Sequence, residues 1–173
     1  MAMVSFAKVL DVRNPKRNNM EDAGIDLYVP KLTKEFIELF NDATVNINNN
    51  NKLTMKSKNI LVKAHEDVLI PMGVKSKLER GLYLRATAKS GVCTNKKLIL
   101  GANVIDPSYQ GVIFGHLINF SNNDITINFD EKCFQVVPEV YYDGEFDVFD
   151  TDKDFYENET ERGEGALGHQ GNV

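Results

Sequence analysis

Residues 59–86 read NILVKAHEDVLIPMGVKSKLERGLYLRA, and this stretch decides the fold class. Apolar, β-favouring runs occupy 60–63, 67–70, 74–78 and 82–86. His65-Glu66, Pro71-Met72-Gly73 and Glu79-Arg80-Gly81 separate them. Short runs broken by Gly and Pro turns at close spacing indicate an all-β sandwich or barrel.

Toward the N-terminus, residues 5–12 (SFAKVLDV) alternate well enough for an opening strand, and the polar stretch 14–20 reads as a loop. Residues 22–30 (DAGIDLYVP) follow. Ala23-Gly24 lets the backbone come close to another group, Asp26 comes next, and a short β run ends at Pro30. Residues 33–41 (TKEFIELFN) form the best helix: Thr33 can cap it, and Phe36, Ile37, Leu39 and Phe40 give it an apolar face. Residues 46–51 are almost pure Asn and read as a surface loop. The segment 31–58 is read as an insertion on a β scaffold.

Toward the C-terminus, residues 87–92 (TAKSGV) leave the strand pattern in a Ser-Gly turn. Lys89, Ser90 and Gly91 offer an ammonium, a hydroxyl and open backbone N–H groups, the usual means of holding a phosphate. Ser90 lacks the GxSxG context of a hydrolase nucleophile. Residues 101–111 (GANVIDPSYQG) join the apolar runs 98–100 and 112–114 and read as a tight hairpin. Asp106 and Tyr109 would form one pocket wall there, the Asp to activate a water and the Tyr to hold a flat or sugar-like face. Strands are expected at 112–120, 125–129 and 133–137, with Gln135 the one polar residue in the last. Asp150, Asp152, Asp154 and Glu161 imitate calcium-loop spacing, but Phe155 stands where such a loop needs Gly. Residues 162–171 (RGEGALGHQG) suggest a mobile arm that orders over an anionic ligand through Arg162.

At 173 residues the chain is most simply one domain with a real core. A net charge of −5 argues against a nucleic-acid or membrane-surface binder. There is no apolar run of transmembrane length and no signal-peptide pattern. Cys93 and Cys133 fit no ligand spacing, so reduced thiols in a cytoplasmic protein are expected. His65, His116 and His169 form no zinc motif.

Five of these segments, in order, resemble the motifs of the trimeric dUTP pyrophosphatases (dUTPases). Residues 23–27 (AGIDL) look like the first, 89–92 (KSGV) the second, 101–111 the third, 130–135 the fourth and 160–171 the fifth. The resemblance implies a jelly-roll-like β-barrel over 1–159 with the insertion at 31–58, and a mobile C-terminal arm at 160–173. It implies hydrolysis of dUTP to dUMP and pyrophosphate by a homotrimer with shared sites, clearing dUTP and supplying a dTTP precursor. Asp106 would be the general base. Lys89, Ser90, Gly91, Gln135 and Arg162 would hold phosphates. The backbone of residues 101–104, with Asn103, Val104 and Ile105 among the contacts, would read the uracil. Tyr109 would exclude a ribose hydroxyl, and Leu167, Gly168 and His169 would lie over the base and phosphates. Magnesium would be chelated mainly by the phosphates, with Asp26 touching it through water.

Lys89 departs from the family's Arg, Leu167 from its Phe and His169-Gln170 from its Ser-Thr pair. Two alternatives accompany this reading. One is a dCTP deaminase-like enzyme of the same fold. The other is a dUTP-sensing protein with a partner docked on the inserted helix.

Overall fold

The computed structural model describes residues 3–46, 52–151 and 155–156. The chain divides into two compact units, Met1–Tyr142 and Asp143–Val173. In order, the first unit holds β1 (Val4–Lys8), β2 (Ile25–Tyr28), α1 (Lys34–Asn46), β3 (Asn59–Val62), β4 (Asp67–Pro71), β5 (Val74–Leu78) and β6 (Leu82–Thr87). Then come α2 (Ser90–Lys96), β7 (Leu98–Leu100), β8 (Val104–Ile105), β9 (Phe114–Asn119), β10 (Ile125–Asn128) and β11 (Lys132–Val140). They assemble as β1-β5, β10-β3, β2-β11-β6-β8 and β4-β9-β7, antiparallel throughout. The architecture is all-β, as the turn spacing of 59–86 predicts, and jelly-roll-like, as the resemblance implies. In the second unit, Phe155 packs edge-on against Phe149 and Tyr156, with ring centroids 5.1 and 4.9 Å apart.

Alternation along each strand sorts the two faces. On β6, Leu82, Leu84 and Ala86 are buried while Tyr83, Arg85 and Thr87 point the other way. A one-residue slip would exchange these sets, so burial pins the register. Asn119 closes β9 inside the core. Its Nδ2 donates to Val62 O, Lys63 O and Asn123 O at 3.1, 3.0 and 2.7 Å, and its Oδ1 accepts from Ser121 N and Oγ. One amide thereby satisfies three buried or half-buried carbonyls that would otherwise cost stability.

Helix α1 starts as its sequence predicts, with Phe36 N–H donating to Thr33 Oγ1 at 3.2 Å. It runs past residue 41 because Ala43 and Thr44 are also buried, and Thr44 Oγ1 donates to Phe40 O at 2.8 Å. Phe36 and Phe40 are fully buried, and Phe36 meets Phe129 edge-on at 5.8 Å. The apolar face is thus covered by the chain's own core, and a partner would have to use the opposite, polar face.

Two local expectations change. Residues 101–111 are not a tight hairpin. β7 does pair with β9, but between them the chain crosses to another sheet, where Val104 and Ile105 pair with Arg85 and Leu84 of β6. Residues 90–96 are a helix, not a Ser-Gly turn, ended by Lys97 in the left-handed region at φ 54°.

Candidate active site

The sheet β2-β11-β6-β8 carries the candidate residues on the side away from Leu27, Leu84, Ala86, Phe134 and Val136. Pairing sets them in rows. Asp26 lies opposite Gln135, and Gln135 opposite Thr87. The next row is Val137, Arg85 and Val104. In the third, Glu139 lies opposite Tyr83, and Asp106 follows β8 by one residue on the same side.

The first row is cationic around a buried anion. Asp26 is only 2 % exposed. Lys89 Nζ forms a short ion pair with its Oδ1, and Lys132 Nζ lies 2.7 Å from its Oδ2. Burial by itself pushes the Asp26 carboxyl up; the bonds to Lys132 and Lys89 outweigh it and hold the carboxyl below its ordinary value. The same bond to Asp26 raises the Lys132 ammonium. Lys132 also donates to Asn18 Oδ1 at 2.8 Å. Gly24 makes room for Gln135: a Cβ there would stand 2.2 Å from Gln135 Oε1. The close approach expected at Ala23-Gly24 is therefore that of the Gln135 side chain. Thr87 Oγ1 is buried with no hydrogen-bond partner among the described residues.

Ser90 and Gly91 open α2, where the first N–H groups have no intrahelical acceptor. Both are exposed. The sequence reading missed Lys132 and Thr87. The signal for Lys132 was its place three residues before Gln135; nothing local marks Thr87.

Asp106 is exposed and, with Tyr83, Val104, Pro107, Val140 and Tyr141, lines a cavity of about 400 Å³. Beside it, Tyr83 Oη donates to Glu139 Oε2 at 2.6 Å and Arg85 pairs with Glu139 at 2.5 Å. Asn103 O accepts from Ala86 N at 2.8 Å. Tyr109 is not among that cavity's lining residues. Its N–H donates to Asp106 O at 3.1 Å and its hydroxyl to Val112 O at 2.8 Å, folding the ring over Gly111. Arg162, Leu167, Gly168 and His169 lie outside the described residues.

Lys89 and Lys132 face the Asp26 carboxylate, and its buried Oδ2 accepts no well-aligned hydrogen bond among the described residues, so Asp26 could meet a phosphate-bound magnesium ion through water. Among the described residues no three His, Cys, Asp or Glu side chains gather as a ligand set.

Residues 53–171 match the family model described as dUTPase. The chain belongs to the dUTPase family. That match begins after α1, so the first of the five dUTPase motifs lies outside it. Proteins named deoxyuridine 5'-triphosphate nucleotidohydrolase are similar to this chain in Yarrowia lipolytica (30 % identical, 60 % of this chain, 64 % of that protein) and Arabidopsis thaliana (31 %, 64 % and 63 %). The chain thus spans a little under two thirds of their length. One from Finegoldia magna is 30 % identical over 65 % of this chain and 76 % of its own. The fold is also that of a Staphylococcus bacteriophage 80alpha dUTPase solved with dUpNHpp, at a TM-score of 0.73, 18 % identity and 99 % of both chains. No helix among the described residues is long and apolar enough to cross a membrane.

Proposed function

We propose that this chain hydrolyses dUTP to dUMP and pyrophosphate, as a homotrimer whose copies complete one another's sites. Water attacks the α-phosphorus, and the bond to the oxygen bridging the α- and β-phosphates breaks. Asp106 takes the water's proton, and pyrophosphate leaves. Lys89, Lys132, Gln135 and the Ser90 and Gly91 N–H groups hold the phosphates and offset charge in the transition state. Asp26 keeps the two ammonium groups in place. The backbone of residues 101–105 reads the base, Tyr109 excludes a ribose hydroxyl, and Arg162 with Leu167, Gly168 and His169 covers the bound nucleotide. A magnesium ion on the phosphates would meet Asp26 through water. The solved phage phi11 dUTPase is described as coordinating a structural Mg(II) ion.

The observation that carries the reading is the placing of two half-sites on one sheet face. Thr87, in the cationic row, and Tyr83, beside Asp106, are four residues apart on β6, roughly 13 Å at a strand's rise. That separation supports a site in which Asp106 of one copy serves nucleotide held by Lys89 and Gln135 of another. The relatives' names favour hydrolysis over deamination or sensing alone.

The test is pyrophosphate release across all deoxynucleotides and UTP, joined to a mixing experiment. Asp106→Asn and Lys89→Ala proteins, each inactive alone, should regain part of the activity when unfolded and refolded together. Activity on dUTP no higher than on other nucleotides would overturn the reaction, and a mixture as inactive as its parts would overturn the shared site.

A further inference from the structure

The loop that starts at Gly101 rests on an imidazole that none of the dUTPase motifs contains. His116 lies in β9, opposite Leu69 of β4. Its Nε2 and Asp67 Oδ2 are 2.6 Å apart. On the other side of the ring, Ala102 N–H donates to Nδ1 at 3.4 Å, and His116 O accepts from Gly101 N–H at 2.9 Å. Both contacts are satisfied together only by the neutral tautomer with its proton on Nε2, donating to Asp67 and accepting from Ala102. The fit admits no side chain at residue 101, since a Cβ on Gly101 would stand 2.2 Å from Nδ1. The opposite edge of the same segment is held by Ala86 N–H on Asn103 O at 2.8 Å.

We propose that His116 is a positioning residue for base selection, its ring oriented by Asp67 so that Nδ1 anchors the Gly101–Ala102 backbone at the start of the base-reading loop. The inference rests on the function proposed above and adds a residue to it. Asp106 is held independently, because Val104 and Ile105 are paired to β6. Loss of the imidazole therefore moves only the Gly101–Ala102 end of the base-reading backbone and leaves the general base where it was. The expected signature is a raised KM with kcat unchanged, the mark of lost binding common to ground and transition states.

Three variants separate this role from simple packing. His116→Val suits a strand but removes both contacts. His116→Gln can still reach Asp67 but has no acceptor at the position of Nδ1. His116→Asn can place Oδ1 where Nδ1 stood. With equal melting temperatures as the control for folding, Val and Gln should raise KM for dUTP about two- to tenfold, the worth of one hydrogen bond. They should lower the preference for dUTP over dCTP by a similar factor, while Asn recovers most of the loss. Unchanged KM in His116→Val, a kcat loss instead of a KM change, or no recovery in His116→Asn would each overturn the inference while leaving dUTP hydrolysis standing. An unmodified protein without activity on dUTP would remove the proposed function, and this inference with it.

Discussion

Asp26→Asn is the sharpest test of how the cationic row is held together. The substitution keeps the shape of a buried side chain and removes the charge that Lys89 and Lys132 share. The two ammonium groups touch the same carboxylate, so a separation of about 5 Å sets the scale of their repulsion. At an effective dielectric of about 20, their repulsion is then about 3 kcal/mol. Both lysine side chains are partly exposed, at 22 % and 35 %, so solvent and salt screen some of it. A net loss of about 2 kcal/mol is expected, below the 3 to 5 found for fully buried pairs. Urea unfolding at pH 7 reads it directly. The sign of the pH dependence follows from the depressed Asp26 carboxyl. Its contribution is complete above the unfolded carboxyl's value, about 3.9, and disappears as pH falls through the lower folded value. Parent and variant should therefore differ at pH 7 and converge in strong acid. Replacing Asp26, Lys89 and Lys132 together by apolar residues of similar size should cost little stability while removing phosphate binding. An Asp26→Asn protein as stable as the parent at pH 7 and low salt would refute the reasoning.

Asp106→Asn should lower kcat by about two to four decades while nucleotide affinity, followed by calorimetry, stays near the parent's. Gly24→Ala forces a Cβ to within 2.2 Å of Gln135 Oε1; displacing that side chain should cost about 1 to 3 kcal/mol by thermal melting and raise KM. Asn119→Leu removes the amide donor to the carbonyls of Val62 and Lys63 and one of the two donors to Asn123 O. A loss of about 3 kcal/mol in urea unfolding is expected, and a loss under 1 would mean that water replaces the amide.

Much of the scaffold was legible residue by residue. The strands between 59 and 87 fall where alternation and Gly or Pro turns put them, because both are local effects of the backbone. Helix α1 begins at its Thr33 cap for the same reason. Gln135 stood out as polar in an apolar strand, and Gly24 as a point of close approach. That the two meet each other was not readable, since the meeting depends on the β2-β11 register.

What only the tertiary structure decided is where the pieces of the site go. Val104 and Ile105 are too short a run to announce a strand, and their choice of β6 over a local hairpin follows from which sheet edge lies open beside them. The pairing of Asp26 with Lys89, 63 residues away, and with Lys132 depends on three strands meeting in one row. The Asp67–His116–Ala102 contact needs β4, β9 and the loop after β7 packed together. Local sequence sets residue type, period and turn. Which charges share a row is settled by long-range pairing, and that pairing exists only once the core has closed.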